Sequence, residues 1–239
     1  MFGVVAKLRR TLKLGPATTE PWMTDVLERL LPERPGLFVD VGVNLGQTLV
    51  KVRAIEPDRP YLGFEPNPAC VAFTERRFPT YRIIPAALST TSGVVLLETQ
   101  QANPVATAGT IVKGLWPDIT MRKPVVTLCL QDLPPELFAQ AVGFLKIDVE
   151  GAELEVLQTL APIIQRDRPI ILIEILSCYS PENQARVSRQ EQTEQLLKSN
   201  GYVLQRILKR NRRFVGFETI TGSIGVHGDL SKCDYVARA

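Results

Sequence analysis

Four carboxylates stand at the ends of apolar stretches: Asp40 after Leu37-Phe38-Val39, Glu65 after Tyr61-Leu62-Gly63-Phe64, Asp148 after Phe144-Leu145-Lys146-Ile147, and Glu174 after Ile170-Ile171-Leu172-Ile173. A charge inside an apolar run is costly unless paired or solvated, so these acids belong at an open, polar edge. In a parallel sheet that edge, at the carboxyl ends of the strands, is where ligands bind. Directly after Asp40 the chain breaks into a glycine turn, Gly42-x-x-x-Gly46, and a helical segment follows from Gln47 and Thr48. Glycines at such a turn let a ligand approach the backbone. The helix behind it offers unpaired N–H groups and a positive dipole end. Asp40 would repel a pyrophosphate but favour a ligand bearing positive charge. The turn therefore reads as a nucleoside site for a cationic cofactor, and the sulfonium S-adenosylmethionine is the candidate.

Glu65 follows Asp40 by about twenty-five residues, near the interval at which an acid meets a ribose in nucleoside-binding α/β folds. One carboxylate can accept both ribose hydroxyl protons; the competing reading is a charge capping the helix that starts at Pro66-Asn67-Pro68. The second motif is Leu145-Lys146-Ile147-Asp148-Val149-Glu150-Gly151-Ala152-Glu153. If the strand persists through Val149, Asp148 and Glu150 point to the same side. Glu150 and Glu153 then sit at a helix N-terminus, where negative charge is favourable. Capping accounts for Glu153 but not for Asp148, inside the apolar strand end.

Taken together these residues resemble the FkbM-type family of S-adenosylmethionine-dependent methyltransferases. The resemblance is carried by Val39-Asp-Val-Gly-Val-Asn-Leu-Gly-Gln-Thr48, Gly63-Phe-Glu-Pro-Asn-Pro68 and Leu145-Lys-Ile-Asp-Val-Glu-Gly-Ala-Glu-Leu-Glu-Val-Leu157. It runs from about Gly36 to Glu174, with Thr127–Leu133 and Arg168-Pro169 in the family's order. Val43 stands where a small residue is usual, and Cys129 to Gln131 replace a more acidic stretch. The resemblance implies an α/β, Rossmann-like fold: a seven-stranded, mostly parallel sheet with helices on both faces and an antiparallel last strand. It implies that Asp40, Gly42, Asn44 and Gly46 surround the methionine portion of the cofactor, Glu65 its ribose, and Ala87 to Ser89 its adenine. Gln47, Thr48 and Asn67 complete the cofactor-binding set, and Asp148 faces the methyl-transfer centre.

Such enzymes methylate hydroxyls of sugars, polyketides or small metabolites by in-line displacement at the methyl carbon. A neutral hydroxyl is a poor nucleophile, so a base within reach should help. Asp148, Glu150 and Glu174 are the candidates, with Asp148 first. The same carboxylates are able to hold Mg²⁺ with water, but no resident metal is assigned. His227, the only histidine, sits between glycines near the end of the chain and reads first as a loop residue. Lys209 to Arg213 reads as a hairpin tip with Asn211 in the turn, and an anionic acceptor is the sharper alternative to plain solvation. Ser177 to Gln190 is expected to line the acceptor pocket, with Tyr179 the first residue to test.

These acids must be positioned by strands alternating with helices, the pattern of a parallel sheet covered on both faces. Strands are expected at residues 37–39, 61–65, 82–88, 142–148 and 169–176. Helices are expected at 47–54, 69–78 and 189–199, with one carrying Leu154, Leu157 and Leu160. Val94–Glu98 and Val125–Leu128 read as two further strands, and residues 99–124 between them as a substrate-covering segment. Three short, partly antiparallel strands close the chain at 202–208, 214–219 and 234–237.

At 239 residues, 45% hydrophobic and 22% charged, the chain suits one sizeable α/β core. Residues 1–35 are expected as an N-terminal helical extension and residues 36–239 as the catalytic domain. A net charge of +3 is too small to argue for nucleic acid. The scattered Cys70, Cys129, Cys178 and Cys233 offer no zinc spacing and suit a reducing cytoplasm. No stretch is long enough to span a bilayer. Val4, Val5, Leu8 and Leu12, with Lys7, Arg9, Arg10 and Lys13 around them, suggest an amphipathic cap or homo-oligomer contact, and secondarily a weak peripheral membrane contact. A nicotinamide-dependent oxidoreductase is the rival enzyme, disfavoured because Asn44 replaces a glycine of G-x-G-x-x-G. A non-catalytic nucleoside-binding scaffold is the rival from another class.

Overall fold

A computed structural model describes residues 20–102 and 108–239. The basic amphipathic stretch at 1–14 and Pro104 lie outside them. In chain order the elements are α1 (Pro21–Leu30), β1 (Leu37–Val41), α2 (Gln47–Ile55), β2 (Tyr61–Phe64), α3 (Pro68–Arg77), β3 (Arg82–Ile84), β4 (Ala87–Leu88), β5 (Gly93–Thr99) and β6 (Met121–Leu128). Then come β7 (Val142–Ile147), α4 (Glu153–Thr159), α5 (Ala161–Asp167), β8 (Ile170–Glu174), α6 (Gln184–Ser199), β9 (Val203–Arg210), β10 (Arg213–Thr219) and β11 (Asp234–Arg238).

The main sheet has the order β10-β9-β11-β8-β7-β1-β2-β3. β1, β2, β3, β7 and β8 pair in parallel, whereas β11 is antiparallel to both β8 and β9. The expected seven strands with an antiparallel last strand are therefore present, but the sheet has eight. The extra strand is β10, folded back on β9 through Asn211 and Arg212, whose φ angles of +51° and +62° suit a two-residue hairpin turn.

Two expected elements are split. The strand expected over 82–88 stops at Ile84, and Ala87–Leu88 joins a separate sheet of order β4-β6-β5. Pro85 lies at the break, and proline cannot donate to a ladder. The helix after Asp148 divides at Leu160, since Pro162 at the start of α5 cannot continue the bonding of α4. α6 instead begins at Gln184, earlier than expected, because the Asn183 side chain accepts from Arg186 N at 3.2 Å and caps it.

The strands bury both faces, as their continuous apolar character demands. Leu37, Val39 and Val41 point into one core with Leu145, Ile147, Val156, Leu157, Ile171 and Tyr235. Phe38 and Phe144 point into the other, stacked at 5.1 Å between ring centroids. α1 sits on this second face, with Trp22, Met23, Val26, Leu27 and Leu30 buried against it. Val43 also fills this core. The room for it comes from Gly63, where an added Cβ would meet a methyl group of Val43, so a bulky residue in the turn is matched by a missing one on β2.

Candidate active site

β1 delivers the chain to the turn, and the turn depends on residues tolerant of positive φ. Gly42 has φ +90°, and a Cβ there would collide with the carbonyl oxygen of Asp148. Asn44, at φ +53°, adopts the left-handed conformation that asparagine tolerates better than most residues. Glu65 ties the turn down. Its Oε2 accepts from Asn44 N at 2.7 Å, and its Oε1 accepts from Asn67 N at 2.8 Å. Each oxygen keeps a second lone pair, so the carboxylate can still accept from ribose hydroxyls. Burial pushes its pKa up to about 7, against the pull of the two N–H donors. The capping reading is also met, in that Asn67 caps α3 through Ala69 N at 3.2 Å.

Asp40 corrects an expectation. It is 0% exposed and does not line the cleft. Tyr61 Oη donates to its Oδ2 at 2.5 Å, and Lys146 Nζ lies 3.2 Å from its Oδ1. Residues 40 and 146 are partners in the β1–β7 register, which places both side chains on one face. Its negative charge is thus spent on a buried lysine, not offered to a ligand. Burial raises its pKa above the ordinary carboxylate range, and Lys146 and Tyr61 pull it back.

At the ends of β7 and β8 the situation differs. The carboxylate oxygens of Asp148, Glu150 and Glu174 converge within 4.8 Å of one another. Strand geometry does not bring Asp148 and Glu150 together, since β7 ends at Ile147. Glu150 instead turns back with φ +55°. Asp148 is paired with Lys146 Nζ at 3.3 Å, and its side chain is 39% exposed. The Glu150 and Glu174 side chains make no hydrogen bond or ion pair among the described residues. Burial, then Asp148, then Glu153 push the Glu150 pKa up to about 8. Burial and then Asp148 and Glu150 push that of Glu174 well above the usual range. Glu153 is occupied as a cap, accepting from Gly151 N at 2.8 Å.

Between the two groups lies a cleft of about 260 Å³. Of the expected residues, Gly42, Asn44, Gln47, Glu65, Asn67, Ala87, Asp148, Glu150 and Glu174 line it. Asp40, Gly46, Thr48 and Ser89 stand outside the lining. Thr48 is buried, with its hydroxyl on Met23 Sδ at 3.7 Å. Phe64, Leu88 and Leu97 give the cleft an apolar wall, and Gly109 and Ile111 reach it from the segment expected to cover it. The lining offers what S-adenosylmethionine would need: a carboxylate able to accept from hydroxyls, an apolar wall, and acids able to face a positive charge.

The family model of the methyltransferase FkbM domain matches residues 40–204, more than half of the chain. The chain belongs to the FkbM methyltransferase family. Membership of that family implies S-adenosylmethionine as methyl donor and counts against the nicotinamide reading. Among solved structures, methyltransferase FkbM from Methylobacillus flagellatus KT aligns with a TM-score of 0.50 at 15% identity, over 84% of this chain. The chain spans 43% of that protein's length. A putative caffeoyl-CoA O-methyltransferase from Staphylococcus aureus aligns over 98% of this chain and 92% of its own, with a TM-score of 0.49 and 11% identity. The plantazolicin methyltransferase BpumL, solved in complex with SAH, covers 86% and 74% respectively, with a TM-score of 0.43 and 11% identity. No curated protein gives a significant match.

Among the residues lining the cleft, sequence reasoning missed Glu20 and Cys70. Glu20 precedes α1 in sequence and reaches the site only through the packing of that helix, so no local signal marks it. The other expected acceptor elements stand outside the lining of the cleft. Tyr179 is exposed after β8, with the Arg186 guanidinium 5.2 Å over its ring. His227 lies outside the lining, half-buried in the loop before β11, with burial lowering its pKa. The basic hairpin tip is engaged elsewhere: Lys209 pairs with Asp234 and covers the Trp22 ring, and Arg213 pairs with Asp25 at 2.5 Å. No described helix is long and apolar enough to cross a membrane.

Proposed function

We propose that the protein methylates a hydroxyl of a sugar, glycan or other small metabolite, with Asp148 as the proton acceptor. The observation that carries this reading is the convergence of Asp148, Glu150 and Glu174 on one side of the cleft, opposite the turn and Glu65. When bound, S-adenosylmethionine supplies an electrophilic methyl group on a positively charged sulfur. Glu65 accepts from the ribose hydroxyls, and the backbone at Gly42 and Asn44 flanks the methionine portion. Asp148, whose side chain is 39% exposed, receives the hydroxyl proton at a carboxylate oxygen. Glu150 and Glu174, with raised pKa values, hold their own protons at neutral pH and keep the acceptor side from accumulating three negative charges. Positioning and this proton transfer together carry the acceleration.

The acids on this wall disfavour a phosphorylated acceptor, because like charges repel. The four cysteines are unpaired and three are buried, which fits a cytoplasmic enzyme. The test is turnover of a panel of sugars, glycans and hydroxylated metabolites by wild type and Asp148→Asn. Loss of turnover with cofactor binding intact supports the role, and unchanged turnover removes Asp148 from the mechanism.

A further inference from the structure

Lys146 is 4% exposed in the middle of an otherwise apolar strand, Val-Gly-Phe-Leu-Lys-Ile, and it does not line the cleft. Its ammonium group has three donors and three acceptors around it. It lies 3.2 Å from Asp40 Oδ1 and 3.3 Å from Asp148 Oδ2, and it donates to the carbonyl of Gly42 at 2.9 Å. We propose that Lys146 is a positioning residue of the cofactor site: its ammonium clamps the glycine turn at Gly42 and the Asp148 carboxylate to one point, so that the cofactor pocket and the proton acceptor hold a fixed separation.

Three features support this. First, the turn and Asp148 already meet through the backbone. Asp148 N donates to Val41 O at 3.0 Å, and a side chain at Gly42 would strike the Asp148 carbonyl. A shift in either is therefore felt by the other. Second, the ammonium donates to the Gly42 carbonyl while lying within ion-pair distance of both carboxylates, so it cannot leave that point without weakening all three contacts. Third, stability alone gives little reason to keep the charge. A buried ion pair is often no more stabilising than apolar residues of similar volume. With Phe144, Leu172 and Phe38 around it, methionine at 146 with a neutral partner at 40 would pack in the same place. The charge is also kept where it is, because Asp148 and Asp40 more than offset burial and hold the lysine pKa above its usual range.

The inference rests on the cleft being the S-adenosylmethionine site, and the experiment separates the two. Lys146→Met alone leaves Asp40 as an uncompensated buried charge and is expected to destabilise the fold severely. The informative variant is Asp40→Asn/Lys146→Met, in which net charge is conserved and Tyr61 keeps an acceptor. Its melting temperature and its affinity for S-adenosylhomocysteine, measured by titration calorimetry, are compared with wild type. A positioning role predicts a folded protein whose dissociation constant rises about tenfold, the order expected for losing a charge-assisted hydrogen bond to the turn. A merely structural role, neutralising Asp40, predicts affinity within twofold of wild type, and that result overturns the proposal. Failure of wild type itself to bind S-adenosylhomocysteine would instead overturn the cofactor site on which the inference rests.

Discussion

The two walls of the cleft are built from the same residue types in opposite electrostatic states. On the β1–β2 side each acid has partners before any ligand arrives, Asp40 buried outside the lining and Glu65 on it. Asp40 has Tyr61 and Lys146, and Glu65 has two backbone N–H donors. On the β7–β8 side Glu150 and Glu174 crowd Asp148, with a single ammonium group between the three, already shared with Asp40. Saturated acids make a rigid frame, and rigid frames bind. Burial raises carboxyl pKa values on both sides, but for Glu150 and Glu174 the next largest cause is a neighbouring carboxylate, whereas for Glu65 it is the opposing pull of backbone N–H groups. On the proposed assignment, binding falls to Glu65, held by backbone N–H groups, and proton transfer to Asp148, held by Lys146 beside two unpaired carboxyl groups.

The largest effect that would break this comparison is at the contact between the walls. Gly42→Ala should fail to fold or lose most of its melting temperature, because the new methyl group has to displace the Asp148 carbonyl; a stable, active variant would show that the walls are not in fixed contact. Next comes the chemistry side. Asp148→Asn should lower turnover by roughly 10²–10⁴-fold, the usual contribution of a positioned base, with little change in cofactor affinity. On the binding side, Glu65→Ala should weaken S-adenosylmethionine binding by about ten- to a hundredfold, since it removes the ribose acceptor and unties the turn. Calorimetry of both variants checks the split.

The smallest effect is also the most specific to the crowded wall. Glu150 has a pKa of about 8 when folded, above its unfolded value, so the folded state binds the extra proton. Its contribution to stability is full below the ordinary glutamate pKa and is lost as pH rises towards 8. The melting temperature should therefore fall across that interval, and Glu150→Gln should flatten the fall. Ionisation of Glu150 also adds negative charge beside the methyl-transfer centre. Affinity for the sulfonium S-adenosylmethionine should then rise relative to neutral-sulfur S-adenosylhomocysteine as pH passes 8. A constant ratio would show that Glu150 does not face the sulfur.

Sequence legibility followed locality. The turn, Glu65 and the Asp148 stretch were readable because strand end, glycine and acid sit within a few residues of each other. Most of the residues so identified line the cleft. Asp40 was misread because its charge is settled by partners that the chain brings from β2 and β7, and only strand register shows that Lys146 lies beside it. Asp148 and Glu150 do converge, but through a left-handed residue after the strand and not through strand alternation. The eighth strand and the separate β4-β6-β5 sheet depend on which edges pair, which short apolar runs do not encode. Glu20 reaches the cleft from a helix packed across the sheet, and nothing around it in sequence announces that.

Titration calorimetry of S-adenosylmethionine against wild type, Glu65→Ala and Asp148→Asn tests the central claim most directly. The account predicts that Glu65→Ala loses at least about tenfold in affinity while Asp148→Asn stays within a few fold of wild type. The opposite pattern, tight binding to Glu65→Ala and none to Asp148→Asn, would contradict the assignment of binding to one wall and proton transfer to the other.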